Sequence, residues 1–303
     1  MRIIFMGTPD IAVDSLRALA RDNEVVGLFC RPDKPAGRKH KLTPPPTKTA
    51  AIELDIPVYQ PVSLKDDRAF ELIRGLHPDL IVVMAYGIIL PNRVLEIPGY
   101  GCINAHASLL PKYRGAAPVQ YAVMNGDRKT GVTVIFMNEE VDAGDILSVR
   151  EIEISDTDDA ESVFKKISNL SALMLPAAAA VIGEGKAAPV RQDDSAATFA
   201  PRIKKEMGLF SFKEQARVIN DRVRGLCVWP VAFFETGGRT VKVLKSECLA
   251  ATGAPGEVLS LKPLTVAAIN GAVALHVVAP AGGRRMDGSV FASGLRLKKG
   301  DIL

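Results

Sequence analysis

Cysteine is scarce in this sequence. Cys30, Cys102, Cys227 and Cys248 stand far apart with no Cys-x-x-Cys pair, and the four histidines (His40, His77, His106, His276) show no His-x-x-x-His spacing. A disulfide framework and a dedicated zinc site are both excluded on that pattern, so no metal is expected. No run approaches the ~20 consecutive apolar residues of a bilayer span. The apolar stretch at 2–6 is also too short for a secretory leader, whose hydrophobic region takes ~7–15 residues. A cytoplasmic protein without a membrane partner is the expectation. Gly-x-Gly-x-x-Gly and Walker sequences are missing, so nicotinamide, flavin and ATP are not expected either. With 48% hydrophobic and 24% charged residues in 303, the chain has enough apolar material for a large core, which rules out disorder and a fibrous protein.

What is present reads as two domains. Over 1–185, apolar runs at 2–6, 25–30, 80–84, 101–105, 131–137 and 145–154 alternate with helical spacing. Apolar strands separated by helices predict a mostly parallel, Rossmann-like α/β sheet buried on both faces. A long helix over 160–182 closes that domain, its stripe made by Val163, Ile167, Leu170, Met174, Ala177 and Val181. Residues 186–205, rich in Ala, Asp, Ser and Pro, carry no period and read as a linker. Over 206–303 a helix at 211–226 is followed by short β-rich runs at 232–236, 241–246, 257–261, 264–269 and 272–278, with Gly and Pro between them. That rhythm suggests a small OB-like barrel.

Charge is divided unevenly. Residues 200–303 hold 16 Lys/Arg against 8 Asp/Glu, while 1–199 hold 22 against 26. A second basic feature is the stretch from Arg31 to Lys48, where prolines and a glycine disfavour a helix and six Lys/Arg gather, Arg38, Lys39 and Lys41 among them. A long loop with concentrated positive charge beside a basic domain points to phosphate contacts with a polyanion.

In an open α/β sheet, ligands bind beyond the carboxyl ends of the strands. The strand at 101–105 runs into Asn104-Ala105-His106, and two residues apart on extended chain point the same way. An amide donor beside an imidazole makes an oxyanion site or an acid–base pair. The next strand leads to Asp142-Ala143-Gly144-Asp145. A carboxylate there, on a loop expected at the same end of the sheet, can hold the imidazole charged and oriented.

Asn104-Ala-His106-Ala-Ser108-Leu109-Leu110-Pro111-Lys-Tyr-Arg-Gly-Ala-Ala-Pro118, followed by Asp142-Ala-Gly144-Asp145, resembles the signature of the folate-dependent formyltransferases. Three further stretches narrow the resemblance to members that formylate the methionine carried by initiator tRNA. They are the opening Arg2-Ile-Ile-Phe-Met-Gly-Thr-Pro-Asp10, the loop Pro32-Asp-Lys-Pro-Ala-Gly-Arg38, and Trp229-Pro230 inside a basic C-terminal domain. The likeness covers almost the whole chain.

It implies a Rossmann-like domain joined to an OB-like barrel, and transfer of formyl from 10-formyltetrahydrofolate, a donor co-substrate used without metal. Initiator Met-tRNA is the implied partner, and nothing in the sequence asks for more than a monomer. By the same resemblance Asn104, His106 and Asp142 form a catalytic trio, and Ser108, Leu109, Leu110 and Pro111 contact the folate. Met84, Tyr86, Ile88 and Leu90 line its pterin pocket, and Arg38, Lys39 and Lys41 contact tRNA. The alternative is a formyltransferase for a small acceptor, such as a sugar nucleotide or glycinamide ribonucleotide. It would keep the trio and have little use for the basic domain.

Overall fold

A computed structural model describes residues 1–36 and 41–303. The chain forms two compact units. One comprises Met1–Gly115, Thr130–Ile152 and Phe164–Phe199; the other comprises Ala116–Lys129, Glu153–Val163 and Ala200–Leu303. The first unit therefore extends to Phe199, well into the stretch expected to be linker. Main-chain bonds explain why: Val190 and Ile146 exchange N–H···O bonds at 2.8 and 2.7 Å, and Arg114 N donates to Thr198 O at 2.8 Å.

The first unit carries a seven-stranded sheet. Its strands lie in the order Val58–Tyr59, Glu24–Phe29, Arg2–Gly7, Leu80–Met84, Cys102–His106, Lys129–Phe136 and Ile146–Glu153. The pairs from Val58–Tyr59 through Cys102–His106 are parallel. Ile3, Ile4, Phe5 and Met6 are fully buried, the burial on both faces that makes parallel strands continuous apolar runs. Helices Val13–Asp22 and Asp67–Gly75 bury Leu16, Leu19 and Ile73. Asp66 caps the second of these, its side chain accepting from Ala69 N at 2.8 Å.

The helix Ala160–Gly183 is the one among the described residues long and apolar enough to cross a bilayer. It buries Val163, Ile167, Leu175 and Ala179 completely, as a core helix does.

One expectation fails in direction. Lys129–Phe136 runs antiparallel to Cys102–His106, with Ile103 opposite Phe136 and His106 opposite Thr133. The loop after Phe136 therefore leaves from the opposite end to His106 and reaches Asn104 by folding back over the sheet.

The described parts of the basic stretch include regular structure. Strands Lys34–Ala36 and Lys41–Thr43 pair antiparallel, and helix Pro46–Glu53 follows with Pro near its start, where a missing N–H costs nothing. Lys48 Nζ donates to both carboxylate oxygens of Asp33 at 2.9 Å and to Gln60 Oε1 at 2.8 Å, which fixes the base of the ribbon.

In the second unit, antiparallel strands lie in the order Ala232–Thr236, Arg239–Leu249, Gly271–Pro280, Leu264–Ala268 and Val258–Leu261. Register shifts at Val243–Ser246 break the ladder of the long strand, the kind of bulge that bends a sheet around a core. That core gathers Phe210, Phe212, Phe234, Val243, Leu264, Val273 and Phe291. The helix expected at 211–226 begins only at Ala216 and ends at Gly225. Residues before it are drawn into the sheet instead: Ala216 N donates to Ile269 O at 2.9 Å, and Phe210 N to Phe233 O at 2.9 Å. A further helix, Gly288–Gly294, is capped by Asp287, which accepts from Ser289 N at 2.7 Å.

Candidate active site

Asn104 and His106 sit on the strand Cys102–His106, where alternation sends both side chains to one face. Asp142 meets them there. Its Oδ1 lies 3.4 Å from Asn104 Nδ2 and 3.4 Å from His106 Nδ1, and its Oδ2 accepts from Gly115 N–H at 2.9 Å. His106 is buried, 5% exposed, and its Nε2 lies 2.9 Å from the Tyr113 carbonyl oxygen, to which it donates. Both ring nitrogens thus face acceptors. Asn104 is only half-buried, and its amide carries two N–H donors, of which Asp142 Oδ1 takes one.

Burial by itself would push the Asp142 carboxyl up. The hydrogen bond and charge of His106, the Gly115 N–H and the Arg114 charge outweigh it and hold the group below its ordinary range. Asp142 is therefore ionised at neutral pH. Its main chain has φ +55°, the left-handed region that aspartate tolerates better than most residues. Gly144, two residues on, must be glycine: a Cβ would stand 1.7 Å from Phe136 O.

Side chains missing from the sequence reading complete the site. Arg114, 6% exposed, donates through Nε and Nη2 to Gln192 Oε1 at 3.1 and 2.8 Å, and through Nη2 to Asp194 Oδ1 at 2.7 Å. Gln192 lies in the periodless stretch and offers no local signal; Arg114 lies in the block after His106, so its place was visible though its role was not. Thr198 Oγ1 accepts from Tyr113 N at 2.9 Å, steadying the carbonyl that receives His106.

The residues expected at the folate divide by burial. Ser108 is fully buried; its Oγ donates to Lys112 O at 2.6 Å, and its carbonyl accepts from Thr133 Oγ1 at 2.7 Å. Leu110, Met84, Tyr86 and Leu90 are buried as well, Tyr86 and Leu90 within an apolar cluster. Half-buried Leu109, Pro111 and Ile88 retain surface. The Tyr86 hydroxyl is buried without a hydrogen-bond partner among the described residues, and burial pushes that phenol up. Thr8 Oγ1 donates to Tyr86 O at 2.9 Å and accepts from Arg31 N at 3.2 Å, so the turn at 7–10 ties together loops from three parallel strands. Arg38 and Lys39 lie outside the described residues; Lys41 is exposed on its short strand.

Comparison with known proteins places these features in context. Residues 1–179 match the family described as formyl transferase, and residues 202–296 its C-terminal domain. A methionyl-tRNA formyltransferase of Bacillus velezensis is 42% identical over 308 residues, spanning 100% of this chain and 97% of that one. One of Bacillus licheniformis is 43% identical over 305 residues, spanning 99% and 96%. Among solved structures, a methionyl-tRNA formyltransferase from Clostridium thermocellum superposes with a TM-score of 0.59 at 22% identity, covering 82% of this chain and 93% of that one. HypX from Aquifex aeolicus in complex with tetrahydrofolic acid gives 0.67 at 19% identity, spanning 100% of this chain and 49% of that one. At such identities the structural likeness concerns the fold.

Proposed function

The chain belongs to the methionyl-tRNA formyltransferases of the formyl transferase family, and from that premise we propose how its sheet-face site moves a formyl group. The acceptor is the α-amino group of methionine on initiator tRNA, and the donor is 10-formyltetrahydrofolate. When bound, the donor supplies a formyl carbonyl carried on nitrogen.

The residues present fit such a flat donor. Ile89 is 71% exposed and Val141 59% exposed, on loops joined by the Asn92–Glu139 hydrogen bond. Half-buried Ile88 and Leu109 add apolar surface on the loops that follow the strands Leu80–Met84 and Cys102–His106.

The observation that carries the reading is one carboxylate oxygen shared, at 3.4 Å each, between Asn104 and His106. Through it Asp142 holds the Asn104 amide so that its second N–H is directed to an incoming carbonyl oxygen. Negative charge developing on that oxygen is stabilised by the donor, an interaction typically worth ~2.7–4 kcal/mol. Asp142, ionised, takes up the proton released by the attacking amine, directly or through water, and returns it to the folate nitrogen as the bond between that nitrogen and the formyl carbon breaks. His106 anchors the same carboxylate oxygen and is itself held by the Tyr113 carbonyl.

The basic ribbon and the C-terminal domain serve tRNA. Exposed Lys41, with Arg38 and Lys39, would contact phosphates near the acceptor end. Unpaired nucleotides there are easier to read than a stacked duplex.

The test is transfer of labelled formyl from 10-formyltetrahydrofolate, offered in parallel to initiator Met-tRNA, elongator Met-tRNA and glycinamide ribonucleotide. Label confined to initiator tRNA is the expected result. Transfer to the small acceptor alone would overturn the assignment of the basic surface, and transfer to none would overturn the reaction.

A further inference from the structure

Asp142 presents its carboxylate from a main chain at φ +55°, a conformation that a residue with a side chain keeps only where its surroundings hold it. Gln192 supplies that hold. Its Nε2 donates to Asp142 O at 2.9 Å and to Gly144 O at 2.7 Å, while its Oε1 accepts from both Nε and Nη2 of Arg114. Gln192 is 5% exposed and Arg114 6%, so these bonds lie where water does not compete and a missing partner is expensive.

The circuit closes through Gly115, next to Arg114, whose N–H binds the Asp142 carboxylate itself. Main chain and side chain of Asp142 are thus gripped from two directions by one connected set of bonds.

We infer that Gln192, oriented by Arg114, is a positioning residue for formyl transfer: it fixes the main chain of 142–144 so that Asp142 Oδ1 stays shared between His106 and Asn104. This rests on the reading of the trio given above. The chemistry selects an amide. Two carbonyls require a donor and the guanidinium requires an acceptor, and only an amide side chain gives both in fixed geometry. A glutamate would satisfy Arg114 but set its second oxygen against two carbonyl oxygens. An alanine would leave the buried guanidinium short of two bonds.

The experiment uses the full chain with Gln192→Glu and Gln192→Ala. Formyl transfer from 10-formyltetrahydrofolate to initiator Met-tRNA is measured across pH, thermal melting gives the folded fraction, and NMR follows the His106 ring resonances. A misplacement of ~1 Å near reacting groups can cost ~10²-fold, and a fall of that order in kcat is expected for both variants. KM for both substrates should hold, while the pH–rate profile is displaced and the His106 resonances move.

Gln192→Glu keeps the acceptor that satisfies Arg114, so it separates positioning from folding. The inference is overturned if kcat per folded molecule, pH profile and His106 resonances all stay at wild-type values, whatever happens to the melting temperature. A wild-type protein that transfers no formyl group to any acceptor defeats the functional reading instead. An active wild type beside fully active variants defeats only the role of Gln192.

Discussion

Two aspartates with little exposed side chain, one in each unit, are treated in opposite ways. Asp221, on the helix Ala216–Gly225, receives Arg224 Nη2 on one oxygen at 2.6 Å and Arg217 Nε on the other at 2.9 Å. Arg224 goes on to the carbonyls of Ser155 and Asp158, and Arg217 to Asp156. Asp142 has only one full-strength bond to its carboxylate, from a backbone N–H. Its two side-chain partners stand off at 3.4 Å.

A charge whose partners are all close is committed to architecture, because any change of charge there leaves a buried group unpaired. A charge with loose partners keeps capacity to accept a proton or turn a donor. Burial alone does not separate these two carboxylates; the tightness of their pairing does, and the looser pairing accords with the role proposed for Asp142.

Breaking the tight network should give the largest effect. Asp221→Ala strands two guanidinium groups, one of them buried, and the expected loss of stability is ~3–5 kcal/mol, read by denaturant unfolding. Formyl transfer per folded molecule should stay near wild type; a specific loss of kcat would show that the two carboxylates do not differ as described.

The converse is Asp142→Asn, for which kcat should fall ~10²–10³-fold, the scale of a lost preorganised contact, with KM for tRNA little changed. The same variant sharpens the contrast by pH. Because the Asp142 carboxyl is held below its ordinary value, its ionisation favours folding above about pH 4, and that contribution is lost as pH falls through the lower folded value. Asp142→Asn should make the acid side of the stability profile shallower, and an unchanged profile would remove Asp142 from that account.

Smaller effects come from the surroundings. Gly144→Ala drives a methyl group against Phe136 O and should cost ~1–3 kcal/mol, as overpacking does, together with activity, since the loop must shift. Retained melting temperature and kcat would mean that the loop yields freely. Least of all, Lys41→Ala should leave kcat intact and reduce the salt dependence of tRNA binding by about one unit in log–log slope, the share of one phosphate contact. An identical slope would take Lys41 out of the interface.

Much of this was legible from sequence for reasons that particular residues make plain. Asn104 and His106 share one strand, so period-two geometry alone puts them side by side. The apolar runs of the first unit are continuous because both faces of a parallel sheet are covered, and they mark the strands well. Strand direction was not legible: nothing in the run at 131–137 says that it enters from the far end.

The pterin-pocket role of Met84, Tyr86 and Leu90 comes from the resemblance alone; all three are buried, as residues that floor a pocket and residues that fill a core both are. The helix at 216 starts late because residues before it bridge to Ile269, a tertiary pairing that local propensity cannot show. Gln192 was invisible for the same reason, since its partners lie about 50 and 80 residues away.

The stretch from Val190 to Phe199 has a consequence for recombination. It binds Ile146, the Asp142 loop, Tyr113 and Arg114, and the second unit resumes immediately afterwards at Ala200. A crossover that grafts a different C-terminal module onto this sheet keeps the bonds of Gln192 and Thr198 only with its seam at or after Ala200. A seam at 186, where periodic sequence ends, would deliver the whole sheet and every residue of the trio while discarding Gln192 and Thr198. The breakpoint that looks cleanest in the sequence is the one that takes apart the hydrogen bonds around the proposed site.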